Sequence, residues 1–193
     1  KHRYSPRYDM SQKFGIFNVQ FLYFRNDKSG NLILNDWKDK CIDWCYNRVE
    51  ENKSGDQKYL DEWPTKFKNI HIMQNLGGGL GPWNIENYDI ILNNNKIKMK
   101  NNNKYFNPVF FHFSGISIIH KKKYFLGTYR YKKKTIDLFF TDYLNKLDNK
   151  LNIFSNIKKK KQYSKIQSSG NLFENIKFFI KFYILKKNVI NLG

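Results

Sequence analysis

Ser54-Gly55-Asp56-Gln57-Lys58-Tyr59-Leu60-Asp61-Glu62-Trp63-Pro64 sets a flexible glycine, an acid and an amide ahead of three large apolar side chains and a proline. The spacing predicts a helix that starts near Ser54 or Asp56. Leu60, Trp63 and Phe67 would share its buried face, and Pro64 would stop or kink it. Asp56 then has two readings. It is an N-cap or first-turn acid, or it is a carboxylate that accepts a hydroxyl proton beside Gln57, which offers both a donor and an acceptor.

Two further stretches lie downstream. Ile70-His71-Ile72-Met73-Gln74 reads as a short strand and runs into Asn75-Leu76-Gly77-Gly78-Gly79-Leu80-Gly81-Pro82-Trp83-Asn84. The glycines let backbone come close to a neighbour or adopt positive φ. Trp83 and Asn84 either stack on and bond to a ligand or close a rigid turn packed under Trp83. Later, Pro108-Val109-Phe110-Phe111-His112-Phe113-Ser114-Gly115 reads as a buried strand over Val109 to Phe113 that ends at Ser114 and Gly115.

Upstream, Phe14 to Phe24 is aromatic and β-branched with partial alternation, which predicts a buried strand containing Asn18 and Gln20. The spacing of Leu34, Trp37, Cys41, Trp44, Cys45 and Arg48 predicts a helix from Asn31 to about Glu50. Cys41 and Cys45, four apart on that helix, read as reduced core thiols, because this spacing suits a disulfide poorly. Tyr88 to Lys100 reads as a hairpin arm with polar turns at Asn93-Asn94-Asn95 and Asn101-Asn102-Asn103. Thr135 to Leu151 has helical spacing, Asn156 to Gly170 is rich in Lys and Ser, and Asn171 to Lys187 is an apolar helix with interspersed Lys.

The length of 193 residues suits one domain of ordinary size. A formal charge of +19 admits nucleic acid, an anionic membrane surface or a phosphorylated substrate as partner. A coding bias toward Lys, Asn, Ile, Phe and Tyr yields the same charge. No apolar run reaches the roughly 20 residues that span a bilayer, and the polar start Lys1-His2-Arg3-Tyr4-Ser5-Pro6 has no signal-peptide pattern.

Taken together, Gly55 to Pro64, Leu76 to Asn84 and Pro108 to Gly115, in that order, resemble the acceptor-side half of a nucleotide-sugar-dependent glycosyltransferase with a GT-A-like fold. The resemblance covers about Lys1 to Leu151. It implies an α/β fold, a partial GT-A-like domain with a mixed sheet and a helical C-terminal tail. It implies transfer of a sugar from a nucleotide-diphosphate sugar to a glycan, lipid-linked or other cell-surface acceptor. Asp56 and Gln57 would be catalytic around the transferred sugar. Asn18, Gly78, Gly79, Trp83, Asn84, Ser114 and Gly115 would bind substrate, with Gln20 standing where the family carries a small residue. His112 would complete a divalent metal site, for Mn²⁺; a lone strand histidine is otherwise more often a satisfied core residue. The Asp-x-Asp motif that begins such a site is absent here and is expected upstream of Arg3-Tyr4-Ser5-Pro6, so the chain is expected to begin after the nucleotide-binding half and to show little transferase activity alone.

The expected layout is a transferase part over 1–151, a linker over 152–170 and a C-terminal helix over 171–193. The compartment expected is the cytoplasm, with peripheral association at the inner face of the membrane through that helix. The alternative function is a non-catalytic basic module for RNA or anionic membrane, since Lys runs beside Tyr124, Phe125, Tyr129 and Tyr131 suit single-strand stacking. No RNA-binding motif accompanies them, so nucleic acid is not the expected partner.

Overall fold

The computed structural model describes residues 9–157, Ile176, Ile180 and 188–192. The chain divides into two compact units. The first comprises 1–91 and 98–112, and the second 92–97 and 113–193.

The first unit opens with a short helix α1 (Ser11–Phe14) and then residues 15–25, which join no strand ladder. Helix α2 (Lys28–Asp43) follows. Asp27 caps it, its Oδ1 accepting from Gly30 N at 2.8 Å. Gly30 has no alternative: a Cβ there would lie 1.9 Å from Arg25 O. The helix buries Ile33 and lays Trp37 against the same core, where Phe17, Leu60 and Trp63 also meet. Burying side chains of this kind stabilises by about 1.5–3 kcal/mol each. Strands β1 (Val49–Glu50) and β2 (Lys53–Ser54) form an antiparallel hairpin, with Glu51 at φ 52° in its turn. A 3₁₀ segment, Lys58–Glu62, leads into α3 (Trp63–Lys66). Asp36 of α2 ties the helices by accepting from Lys66 at 2.6 Å, while Lys40 reaches Glu62 at 2.6 Å.

Strands β3 (Asp89–Asn93), β4 (Lys96–Asn101) and β5 (Lys104–Phe106) make a three-stranded sheet in that order, and β4 and β5 pair antiparallel. Asn94 and Asn95 both have positive φ, the requirement of the tightest hairpin turns. In the second unit β6 (Ser117–His120), β7 (Lys123–Phe125) and β8 (Val189–Asn191) form an antiparallel sheet. The chain then enters α4 (Lys133–Thr135), a π-helical stretch Ile136–Phe140, and α5 (Thr141–Ile157). Phe139, Phe140 and Leu144 are buried on this run, as its apolar spacing predicts.

The mixture of helices and strands agrees with an α/β reading in the broad sense, but the mixed sheet does not appear. Among the described residues the ladders are antiparallel and belong to three small sheets; parallel pairing is limited to a single bridge between Leu80 and Phe111. Three expected strands are therefore corrected. Phe14 to Phe24, Ile70 to Gln74 and Val109 to Phe113 run without ladders, and Val109 is 64% exposed. Their apolar residues satisfy strand propensity, but a strand also needs a neighbouring backbone to bond. The helix expected to reach Glu50 ends at Asp43, and Trp44 turns to extended backbone. Cys45 thus leaves the helix and is exposed, while Cys41 is half-buried; both are free thiols, and neither is a core residue. The helix expected from Ser54 or Asp56 begins at Lys58, because Ser54 belongs to β2 and Gly55 takes φ 53°. Pro64 falls in the first turn of α3, where its missing N–H is no loss, and so starts a helix rather than stopping one. Helix α5 continues to Ile157, inside the range 152–170 expected as linker. Residues 189–191 of the expected 171–193 helix form β8. The rest of both ranges, and Lys1 to Tyr8, lies outside the described residues, apart from Asn188, Leu192 and the exposed Ile176 and Ile180.

Candidate binding site

The first unit contains a cavity of about 800 Å³. It is walled by the ladderless segment 17–25, the start of α2, the Leu60–Pro64 turn, residues 69–73 and the glycine loop. Three of the residues expected to bind substrate stand in its wall: Asn18, Gly78 and Gly79. Asn18 Oδ1 accepts from Gln20 N at 2.6 Å, which turns the chain and presents the Gln20 side chain. Gln20 Nε2 in turn donates to Gly78 O at 3.3 Å, linking the first segment to the glycine loop.

The loop is held by backbone contact. Gly77 lies so close to Asn107 that a Cβ would come within 2.0 Å of Asn107 O. Its own carbonyl accepts from Val109 N at 3.0 Å, and its N–H donates to Asn75 Oδ1 at 2.9 Å. The glycine at 77 is required for this approach and not for positive φ. At Gly78 a Cβ would meet only the flexible end of the Met73 side chain, at 2.7 Å.

Trp83 and Asn84 take the turn role rather than lining the cavity. Asn84 is only 1% exposed; its Oδ1 accepts from Gly81 N at 3.0 Å and its Nδ2 donates to Gly79 O at 2.8 Å. Trp83 is buried and meets the His112 ring edge to face, with centroids 5.4 Å apart. His112 is half-buried, and its burial lowers the imidazole pKa from 6.5. Among the described residues no group of three or more His, Cys, Asp or Glu is placed to hold a metal.

Asp56 and Gln57 sit in the turn between β2 and the 3₁₀ segment, and neither lines the cavity. Gln57 Nε2 donates to Phe14 O at 2.8 Å and so anchors the chain after α1. Asp56 uses its carbonyl, accepting from Trp37 Nε1 at 2.8 Å. Its half-buried side chain does not cap the 3₁₀ segment, whose first residue follows Gln57. Ser114 and Gly115 belong to the second unit. Gly115 there has φ 81° and lies 3.7 Å, by a built Cβ, from the Gly127 backbone.

Two wall residues were not anticipated as site residues. Trp63 reads as core from its spacing, yet it lines the cavity, with its indole N–H buried and without a partner among the described residues. Gln20 stands in the same wall with Oε1 buried and unpartnered. Only Gln20 carried a signal, a long amide inside an otherwise aromatic and aliphatic run.

The chain is 30% identical over 152 residues to "Uncharacterized protein YfnD" of Bacillus subtilis (strain 168), an alignment covering 74% of this chain and 46% of that protein. It is 32% identical over 112 residues to "Uncharacterized protein YfnF" of the same organism, covering 58% of this chain and 36% of that one. The chain thus spans less than half the length of either relative. No protein-family model matches it, and no solved structure does. Among the described residues no helix is long and apolar enough to cross a membrane.

Proposed function

We propose that this chain forms the acceptor-side part of a glycosyltransferase with a GT-A-like fold. The enzyme moves a sugar from a nucleotide-diphosphate sugar to a glycan or other cell-surface acceptor. The observation that carries the reading is the gathering of Asn18, Gly78 and Gly79 around one cavity. Asn18 lies far in sequence from the adjacent pair Gly78 and Gly79, and the motif resemblance implies sugar binding at all three. The walls combine amide groups with aromatic and aliphatic surface, the mixture that sugar recognition uses.

In the transfer, an acceptor hydroxyl oxygen bonds to the anomeric carbon of the donor sugar. The bond from that carbon to the diphosphate oxygen breaks, and its electron pair leaves with the diphosphate. The hydroxyl proton passes to a carboxylate; the resemblance assigns this role to Asp56, which does not line the cavity, so the reacting hydroxyl belongs to a part of the acceptor outside it. Gln57, bound to Phe14 O, positions the turn that carries Asp56.

Steady-state transfer by the full-length gene product, wild type against Asp56→Asn, tests this reading. Loss of a general base lowers kcat/KM by about 10²–10⁴ with the unfolding midpoint nearly unchanged. Near-normal kinetics in the variant would make Asp56 structural.

A further inference from the structure

We propose that the second unit docks on an anionic phospholipid surface through its lysines. The inference goes beyond the transferase reading and does not depend on it.

The charge is not spread evenly along the chain. The second unit holds 19 Lys and Arg against 4 Asp and Glu, a net +15, and the first holds 16 against 12, a net +4. A coding bias acts along the whole gene and raises lysine in both units. It does not thin out the acids of one of them. Among the described residues, Lys121 and Lys122 are exposed at the turn between β6 and β7, and Lys132, Lys133 and Lys134 are exposed where α4 begins. Two ion pairs offset a little of this charge, Lys133 with Asp137 and Lys146 with Asp142, both at 2.7 Å. All four side chains are exposed, and such pairs are weak. Asp148 is buried and takes the Tyr124 hydroxyl, so it answers no surface lysine. The surface of the unit is therefore strongly positive.

A positive surface attracts phosphate, in a nucleic acid or in a layer of lipid headgroups. The aromatic residues decide between the two. Single strands are held by bases stacked on exposed rings. The four rings that lie among the lysines in sequence are not exposed. Tyr124 and Phe125 are buried, and Tyr129 is half-buried. Tyr131 packs on Phe140 with centroids 4.8 Å apart and donates to Leu126 O at 3.2 Å. Arg, the cation that grips phosphates and base edges in bidentate fashion, occurs once in the unit, at Arg130. A headgroup layer needs neither stacking nor bidentate geometry. Lysine point charges meet it in any orientation. Such a layer also accepts apolar side chains at its boundary. Ile153, Ile176 and Ile180 are 54%, 49% and 40% exposed, and Lys177 and Lys181 directly follow the last two in sequence. Basic charge beside exposed apolar side chains is the combination that holds a protein at that boundary.

The test is flotation of this chain with vesicles of phosphatidylcholine alone and of phosphatidylcholine and phosphatidylglycerol in equal parts. The chain should float with the anionic vesicles only. Raising salt from about 0.1 to about 1 M shortens the screening length from about 10 to about 3 Å and should weaken the binding about tenfold or more. Two multiple variants remove the same charge from different places, all at exposed lysines. One joins Lys121→Gln, Lys132→Gln, Lys133→Gln and Lys134→Gln in the second unit. The other joins Lys28→Gln, Lys68→Gln, Lys98→Gln and Lys104→Gln in the first. The second-unit variant should bind anionic vesicles about tenfold less tightly or worse, and the first-unit variant within about twofold of wild type. Circular dichroism melting should give both the wild-type midpoint. Equal flotation with neutral vesicles, binding that ignores salt, or equal weakening by the two variants overturns the proposal. So does absence of flotation, and binding of a single-stranded uridine oligonucleotide in that case assigns the surface to nucleic acid.

Discussion

The two units differ in how completely they pair buried polar groups, although the first also holds the bonded Asn84 and Tyr59. In the second, Tyr124 is fully buried, and its hydroxyl donates to Asp148 Oδ1 at 2.9 Å. Asn152 Nδ2 donates to the other carboxylate oxygen at 3.2 Å, and Asn188 Nδ2 spans the carbonyls of Gly127 and Tyr129 at 2.7 and 2.5 Å. In the first, Gln20 Oε1 and Trp63 Nε1 are buried beside a cavity with no partner. The second unit is closed in this sense, and the first is open.

The largest expected effect lies in the frame of the open unit. Gly77→Ala drives a methyl group into the backbone of Asn107 and Val109, at 2.0 Å from Asn107 O, where no flexible side chain can yield. It also displaces the carbonyl that receives Val109 N. The expected loss is about 3–5 kcal/mol, a fall of about 10 °C in the midpoint. Thermal unfolding followed by tryptophan fluorescence reads this directly, because Trp37, Trp44, Trp63 and Trp83 all belong to the first unit. A midpoint within about 2 °C of wild type would mean that the loop relaxes freely and the cavity wall is not built on Gly77.

A pair of substitutions tests the comparison itself. Tyr124→Phe removes a satisfied group and leaves a buried carboxylate short of one donor, which costs about 1.5–3 kcal/mol. Gln20→Met removes a half-buried amide bonded through Nε2 alone, to Gly78 O at 3.3 Å, and should cost less, about 0.5–1.5 kcal/mol. Both changes delete hydrogen-bonding atoms from a buried site, so equal losses in urea titrations would dissolve the distinction between closed and open units.

What could be read from sequence followed local chemistry. Phe139, Phe140 and Leu144 fell on a helix because their spacing is helical, and Asn94 and Asn95 fell in a turn because Asn tolerates positive φ, while Asn93 ends β3. The Leu60, Trp63 and Phe67 face was legible even though the helix was misplaced, since all three pack on the same core. Asn18, Gly78 and Gly79 were legible only through motif resemblance. Phe14 to Phe24 was misread because a strand is a relation between two backbones and a sequence shows one. Trp63 was read as core for a related reason. Its burial follows from spacing, but whether its N–H has a partner depends on Gln20 and the Leu60–Pro64 turn meeting at a cavity.

The smallest effect is a pH dependence with opposite signs in the two units. In the first, burial holds the His112 imidazole below 6.5. As pH falls below 6.5 the unfolded chain takes up the proton first, so the contribution is present above that pH and lost as pH falls through the folded value. In the second, burial first, and then the bond to Asp148 and its charge, push the Tyr124 phenol above 10. Here the unfolded chain releases its proton first, so the contribution is present below pH 10 and lost as pH rises through the folded value. Acid therefore weakens the open unit through His112, and base weakens the closed unit through Tyr124. His112→Phe keeps an edge-on ring against Trp83 and should flatten the fall in the fluorescence midpoint between about pH 7.5 and 5.5, a window that brackets the ordinary histidine value. Tyr124→Phe should flatten the alkaline loss, followed by circular dichroism because the second unit has no tryptophan, and leave the acid limb alone. An acid limb with the same slope in wild type and His112→Phe would show that another group titrates there. The two units would then no longer be distinguished by these two residues.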